Sequence, residues 1–238
     1  MFHHIRGQLS DMERVKSQIA DLAGERRGRI AIGCSQALLP YFLPEQIATY
    51  RAQHPGVSFS VFLRDRVAAE QALVDMSADL VIVYEPVLMQ DFEVLQTVRQ
   101  QVHVMMPAGH PLASQAMPRL RDCLAYPLAL PSRTIGVRAL LENAARRMSM
   151  PMEPAVESDS FEFLRHQALS EDVLSFQIPI GIPPEELGSG VVSRPVDPRD
   201  LPPGRLYLGQ LRGRVLPVAA ASFARQIQET FASRFDCD

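Results

Sequence analysis

Short apolar runs alternate with amphipathic segments through the first half of the chain. Arg29–Cys34, Val57–Leu63 and Asp79–Tyr84 predict strands, and the third is apolar almost throughout, as in strands buried on both faces. Between them, the pattern predicts a helix from Pro44 to about Gln53 and another over Arg66–Met76. This β-α-β-α-β order predicts a parallel sheet.

A second series with the same strand–turn–helix order occupies the second half of the chain. Glu93–Val98 and Gln101–Met106 predict two strands before a break at 107–111, and a Pro- and Gly-rich segment covers roughly 179–204. The other predicted strands are Tyr126–Leu130, Ala155–Glu157, Val173–Ile178 and Leu206–Leu211, and the other predicted helices are 137–148, Phe161–Leu169 and Pro217–Phe235.

The N-terminal residues 3–26 predict one further helix. Its apolar residues recur at intervals of three and four, but they cover barely three heptads, so self-association through this helix alone would be weak. Two interpretations stay open: a seam between two subunits, or an amphipathic helix packed on its own domain.

Composition narrows the class of protein. The 238 residues are 47% hydrophobic and 21% charged, which suits one large globular domain or two lobes of ordinary size. A net charge of −3 is unlike a DNA-binding surface, and no apolar run is long enough to span a membrane. The N-terminus does not resemble a signal peptide, so we expect a cytoplasmic protein. The three cysteines are far apart, and Cys34 is interpreted as a small buried apolar residue rather than a redox sensor.

Two polar turns are the candidates for a binding site. Ser35 and Gln36 follow the first strand, and Ser132, Arg133 and Thr134 hold the equivalent place in the second half, where Arg133 and Arg138 supply positive charge. Ligands bind at the carboxyl ends of strands in open α/β sheets, so these turns favour a cleft lined by anion-binding groups from both halves. The alternative is that both turns merely cap the helices that follow.

Two other residues are weaker candidates. Arg64 ends the second strand and could line the same cleft, although the cluster that it forms with Asp65 and Arg66 is more typical of a solvated loop, with Asp65 capping the next helix. His103 could face the cleft or serve only as a structural histidine.

The usual motifs of bond-making chemistry are missing from the sequence. The six histidines lack metal-ligand spacing, and there is no G-x-S-x-G, P-loop or G-x-G-x-x-G pattern. We therefore expect no catalytic residue, no metal and no cofactor, and interpret the chain as a sensor of a small molecule rather than an enzyme.

Several segments, in this order and spacing, resemble the effector-binding region of LysR-type transcriptional regulators. They are 28–33 with Ser35, Leu43-Pro44, His54–Val57, Ala78–Val83 and Pro107–Leu112. The resemblance implies an α/β, two-lobed fold of the type 2 periplasmic-binding-protein kind, with an N-terminal linker helix. The implied domains are a linker or dimerisation helix at 1–28, lobe I at 29–106 plus 208–238, and lobe II at 107–207.

The resemblance also implies a ligand and partners. The effector would be a small organic acid held between the lobes, and the candidate effector-binding residues are Ser35, Gln36, Arg64, Tyr84, His103, Ser132, Arg133, Thr134 and Ile135. The chain would form a homodimer or homotetramer, in which the helix near 44–53 meets the helix near 160–169 of another subunit. No membrane partner is expected.

DNA would be bound only through the winged helix-turn-helix that precedes the linker helix in this family. That module is not in the sequence, which is either a shortened form of a longer regulator or a natural sensor-only chain. One alternative function is a solute-binding protein of a transport system with the same fold, which a signal peptide or lipobox would favour. Another is an enzyme on a doubly lobed scaffold, which would need a nucleophile, acid or base.

Overall fold

The computed structural model describes residues 28–87, 90–170, 172–184 and 190–235. The predicted linker helix at 1–28 therefore lies outside the described residues, apart from Gly28, which begins the first strand. The chain divides into two compact units. Of the described residues, unit 1 contains those from Gly28 to Ser35, Phe42–Arg99 and those from Leu206 to Phe235, whereas unit 2 contains Gln36–Tyr41 and those from Gln100 to Arg205.

Unit 1 is built on a five-stranded sheet in the order β2-β1-β3-β10-β4. The strands are β1 (Gly28–Cys34), β2 (Val57–Leu63), β3 (Leu80–Tyr84), β4 (Phe92–Gln100) and β10 (Gly204–Leu211). β1 is parallel to both β2 and β3, whereas β10 runs antiparallel to β3. The helices of this unit are α1 (Phe42–Gln53), α2 (Ala68–Val74) and α6 (Val218–Arg234).

Unit 2 repeats this plan with a sheet in the order β7-β6-β8-β5-β9. Its strands are β5 (His103–Pro107), β6 (Leu128–Pro131), β7 (Val156–Ser158), β8 (Leu174–Gln177) and β9 (Val191–Pro195). β6 is parallel to β7 and β8, and β5 is antiparallel to β8 and β9. The helices are α3 (Leu120–Cys123), α4 (Gly136–Arg147) and α5 (Phe161–Ser170), and short 3-10 turns lie at Gln36–Leu38, Pro111–Ser114 and Pro179–Gly181.

The strands β3, β6 and β8 are the most buried parts of the two sheets. All five residues of β3 and all four residues of β6 and of β8 are buried. Helices cover these strands with apolar side chains, among them Phe223 of α6, Leu141 of α4 and Leu164 of α5, each fully buried. The prediction that the 79–84 run is buried on both faces is confirmed.

Three boundaries differ from those predicted. β5 belongs to the sheet of unit 2, because it pairs with β8 and β9, so the division falls after Arg99 rather than after 106. The return to unit 1 comes at Leu206 rather than at 208. Residues Gln36–Tyr41, predicted for lobe I, cluster with unit 2.

A strand was also missed. β9 lies inside the Pro- and Gly-rich segment, where the composition obscured a five-residue strand that pairs along the whole of β5. Helix α2 is shorter than predicted and begins at Ala68. Asp65, which was expected to cap this helix, lies three residues before that start. The Asp65 carboxylate accepts hydrogen bonds from the backbone N–H groups of Val67 and Ala68, at 3.0 and 2.8 Å. No helix among the described residues is both long and apolar enough to cross a membrane.

Candidate effector-binding site

The carboxyl ends of β1, β2 and β3 meet at one edge of the sheet in unit 1, because these three strands are parallel. Ser35 follows β1 at this edge, and its backbone N–H donates to the carbonyl of Ile82 at 2.9 Å. The Ser35 hydroxyl accepts a hydrogen bond from the backbone N–H of Tyr84 at 3.1 Å. Ser35 therefore ties the end of β1 to the end of β3, instead of capping a helix.

Arg64 is a cationic side chain at this edge. Its backbone N–H bonds to the carbonyl of Cys34 at 2.9 Å, which holds the residue at the end of β2 beside the end of β1. The guanidinium donates to the carbonyl of Leu63 and lies 5.2 Å from the centre of the Phe62 ring. Within the part of the chain that the structure describes, no carboxylate pairs with Arg64, so its charge is available to an anion.

Two other residues at this edge are buried. Tyr84 is only 3% exposed, so its backbone rather than its ring lies at the polar edge. Cys34 is fully buried, as interpreted from the sequence. Burial raises the pKa of its thiol to about 12, and the positive charge of Arg64 only partly opposes that shift. Cys34 is therefore an uncharged thiol at neutral pH, which makes it a poor nucleophile.

In unit 2, the parallel strands β6 and β7 end side by side, with Pro131 in register with Ser158. Ser132 follows β6, and its backbone N–H donates to the Ser158 carbonyl at 3.2 Å. Its hydroxyl donates to the carboxylate of Asp159, which follows β7, and lies 3.4 Å from the Thr134 hydroxyl. A cluster of two hydroxyls and one carboxylate thus forms at this edge.

These hydroxyls do not cap the next helix. The residue that precedes α4 is Ile135, and no side chain accepts a hydrogen bond from the first turn of that helix. Ile135 is half-buried and donates its N–H to the carbonyl of Ser132, which closes the turn. The alternative that both turns are ordinary helix caps therefore does not describe the side chains of Ser35 or Ser132.

Both arginines of this turn are already paired with glutamates. Arg133 is 78% exposed, and its Nε lies 3.2 Å from Glu142 Oε1. Arg138 is 1% exposed and binds the same Glu142 oxygen at 2.9 Å, Glu157 Oε2 at 2.9 Å and the Pro131 carbonyl at 3.0 Å. From the sequence, these arginines were predicted to supply positive charge for a ligand. Their pairing with Glu142 and Glu157 is evident only in the folded chain.

Gln36 caps α5, a helix far away in the sequence. Its side-chain carbonyl accepts the backbone N–H of Phe161, the first residue of that helix. The following residue, Ala37, packs against Gly181 so closely that a Cβ on the glycine would lie 2.9 Å from both the Cβ and the carbonyl oxygen of Ala37. These contacts explain why 36–41 belongs to unit 2.

His103 lies on β5, with Nδ1 3.4 Å from the Ser193 hydroxyl of β9. Desolvation by burial lowers the pKa of its imidazole, and the nearby positive charge of Arg194 lowers it further. His103 is therefore neutral at pH 7, with its ring partly covered. Its role in binding an effector stays a prediction.

We expect His103 to make the folded protein less stable in mild acid. Because its pKa is lower in the folded state than the unfolded value of 6.5, the unfolded chain binds more protons below that pH. The free energy of unfolding should fall as the pH decreases from 6.5 through the folded pKa. Urea unfolding at pH 7.5 and 5.5 measures this loss, and the loss should be smaller in His103→Gln. An equal loss in wild type and His103→Gln would show that His103 is not its source.

Sequence reasoning missed two residues of the candidate site. Asp159 directly follows the short strand β7, so the rule that selected Ser35 and Ser132 also applies to it once β7 is recognised. Glu142 gave no such signal, since it lies on α4 and matters only because Arg133 and Arg138 both reach it. Among the described residues, no group of three or more His, Cys, Asp or Glu side chains could hold a metal ion.

Mixed sheets whose parallel strands end in polar turns define a ligand-binding α/β protein. The profile of the family described as the LysR substrate binding domain matches residues 23–232. The chain therefore belongs to the LysR substrate-binding-domain family, whose fold is the two-lobed periplasmic-binding-protein type. The resemblance stated from the sequence motifs is confirmed, as is the predicted fold class.

One curated relative is the HTH-type transcriptional activator CmpR of Synechocystis, 24% identical over 152 residues. The match covers 63% of this chain and 50% of CmpR, so the chain spans about half the length of that relative. Among solved structures, the CcmR regulatory domain of Synechocystis in complex with 2-PG has a TM-score of 0.76 at 19% identity, covering 86% of this chain and 97% of CcmR. The effector binding domain of QuiR in complex with shikimate has a TM-score of 0.74 at 18% identity, covering 88% and 100%.

Proposed function

We propose that this chain is the ligand-sensing and oligomerisation part of a LysR-type transcriptional regulator, and that its effector is a small organic acid. Membership of the family supports the sensing role, and the curated relative CmpR is a transcriptional activator rather than an enzyme. CcmR and QuiR were solved with 2-PG and shikimate, which supports a small-molecule ligand for a domain of this fold. We place such a sensor in the cytoplasm, where a bacterial regulator meets DNA.

Arg64 is the observation on which the choice of an acid rests. It is a cation at the carboxyl ends of parallel strands, where ligands bind, and no carboxylate of the described residues neutralises it. A guanidinium can donate two parallel hydrogen bonds to a carboxylate, and such charge-assisted bonds are the strong ones. Arg133 is a weaker candidate because it is exposed and bound to Glu142. That one acid lies between two lobes stays a prediction.

Binding would act on transcription through a shift in population. An effector that binds one conformation of the sensor more tightly than another shifts the equilibrium by no more than the difference in affinity. In a full regulator, this shift would reposition attached DNA-binding domains. We propose a homodimer or homotetramer for this purpose, and the 45% exposure of Phe163 on α5 supports self-association through that helix.

Arg64→Gln should weaken binding of the effector acid by about tenfold, because one charge-assisted hydrogen bond is worth roughly 1.5 kcal/mol or more. A thermal-shift screen of small carboxylates, including shikimate and 2-PG, selects an acid that binds the wild type. Titration calorimetry with that acid then gives the dissociation constants of wild type and variant.

Arg51→Gln is the matched control, since Arg51 is an exposed arginine of α1 in the same unit. It removes the same charge away from the strand ends and should leave the affinity unchanged. Equal affinity of wild type and Arg64→Gln would exclude Arg64 from the site. A screen in which no acid binds would contradict the choice of an organic acid.

The alternative of a transport-associated solute-binding protein shares the fold, and no observation on the described residues favours it. An enzyme would need a reactive group at the strand ends. The hydroxyls there are bound to neighbouring groups, and the one thiol is buried with its pKa raised to about 12, so none of these groups is an activated nucleophile.

A further inference from the structure

We propose that Asp159 makes this sensor selective for acids that also carry a hydrogen-bond donor, a hydroxyl or an ammonium group. The inference rests on the proposed function and adds the chemical class of the effector to it. It concerns the edge of unit 2 where β6 and β7 end, and it depends on the hydrogen bonding and the charge of that edge.

The Ser132 hydroxyl has one proton, and it is directed to Asp159 Oδ1. The serine oxygen can therefore only accept a hydrogen bond from a ligand, through its lone pairs. Asp159 is exposed, and its second oxygen, Oδ2, receives no hydrogen bond from the residues that the structure describes. A ligand group that reaches this pair meets two acceptors, so it gains most by donating.

Three backbone donors at the start of α5 are also occupied. The first turn of α5 could in principle hold an anion, because helix N-termini present free N–H groups. Here Gln36 accepts the N–H of Phe161, Ser158 accepts that of Ser160, and Ser160 accepts that of Phe163 at 3.2 Å. The chain itself thus takes up donors that would otherwise attract a carboxylate.

The charges around the Ser132–Ile135 turn also disfavour a carboxylate near Asp159. Arg133 and Arg138 are the cations of this edge, and they face Glu142 and Glu157. With Asp159 added, three carboxylates accompany two guanidinium groups, which leaves a net negative charge. Like charges repel, so a bare carboxylate is disfavoured beside Asp159, whereas a hydroxyl or an ammonium group is accepted there.

Sets of acids with and without hydrogen-bond donors on the same carbon skeleton test this selectivity. The first set is propionate, lactate and alanine, the second is succinate, malate and aspartate, and the third is 1-cyclohexenecarboxylate and shikimate. In each set the first acid lacks the donor. Lactate, malate and shikimate carry hydroxyl groups, and alanine and aspartate carry an ammonium group. Titration calorimetry on the wild-type chain should find binding only for donor-bearing acids, or binding at least about tenfold tighter than that of the unsubstituted acid.

Asp159→Ala should reduce this preference to about twofold or less, because the acceptor is lost and the unsubstituted acid is no longer repelled. Asp159→Asn keeps an acceptor oxygen without the charge, so it should bind the unsubstituted acids more tightly than the wild type while retaining part of the preference. Glu153→Ala is the control: it removes an exposed carboxylate of the same unit, and it should keep the full preference. Thermal unfolding of each variant verifies that it is folded.

The outcomes separate this inference from the proposed function. If the wild type binds an unsubstituted acid within about twofold of its substituted relatives, the acid-sensing role stands and the role of Asp159 is wrong. An undiminished preference in folded Asp159→Ala, or in folded Asp159→Asn should the alanine variant not fold, also overturns it. If no acid of any set or of the wider carboxylate screen binds, the proposed organic acid is wrong as well.

Discussion

Replacing Phe223 with alanine should lower the free energy of unfolding by about 4 kcal/mol, the largest effect that we expect from a single substitution in unit 1. Phe223 of α6 is fully buried. Its ring lies 5.3 Å from that of Tyr50 on α1 and 5.0 Å from that of Phe59 on β2, both in edge-on geometry. The substitution removes the ring that joins two helices to the sheet and leaves a cavity that the close-packed core cannot fill.

Urea unfolding followed by far-ultraviolet circular dichroism measures this loss, since the chain has no tryptophan. Val218→Ala is the control on the same helix, because Val218 is 47% exposed and its substitution should change the stability by less than about 0.5 kcal/mol. A loss of less than about 1 kcal/mol in Phe223→Ala would contradict the packing of α6 described above.

Replacing Arg138 with methionine should lower the free energy of unfolding by about 3 kcal/mol, at the low end of the range for breaking a buried ion pair. The guanidinium is the largest polar group buried in unit 2 and connects Pro131, Glu142 and Glu157. Methionine fills much of the volume but leaves the Pro131 carbonyl without this donor. The two glutamates are 28% and 45% exposed, so water compensates part of their loss and the upper end of the range is not expected.

Arg133→Met provides a close comparison, because Arg133 binds the same oxygen of Glu142 as Arg138 does. Its side chain is 78% exposed, and an exposed ion pair is worth about 0.5 kcal/mol. Urea unfolding should therefore separate the two variants by about 2 kcal/mol or more. Equal losses would show that Glu142, rather than burial, governs the contribution of Arg138.

Arg138 also links stability to the candidate site. Its bond to the Pro131 carbonyl holds the end of β6, one residue before Ser132. A variant that loses this bond should bind acids more weakly through displacement of the turn, and not through loss of a charge that reaches the ligand. Binding data on Arg138 variants therefore need to be interpreted together with their stability.

Much of the secondary structure was available from local patterns. The apolar run at 79–84 predicted a fully buried strand, and Val137, Leu141 and Ala144, at helical spacing, are all buried on α4. These patterns are reliable because side-chain periodicity follows directly from strand and helix geometry. The polar turns after β1 and β6 were recognised for the same reason, since the end of an apolar run marks the end of a strand.

Local patterns do not show which strands pair with each other or which side chains form ion pairs. The sequence near 103 predicts a strand but not its sheet, because pairing depends on β8 and β9, more than 65 residues further along the chain. Likewise, Arg133 and Arg138 were counted as free charge. Only the folded chain shows that both reach Glu142 and that Arg138 is buried.

The sequence by itself determined the order of the strands and helices apart from β9 and α3, the parallel character of the central strands, the position of the two polar turns and the family. The tertiary structure decided which residues those turns contact: Ser35 with Tyr84, Ser132 with Asp159, and Gln36 with Phe161. The physical reason is the range of the interactions. Periodicity is set within a few residues, whereas hydrogen bonds and charge pairs between distant segments form only when the sheets bring strand ends together.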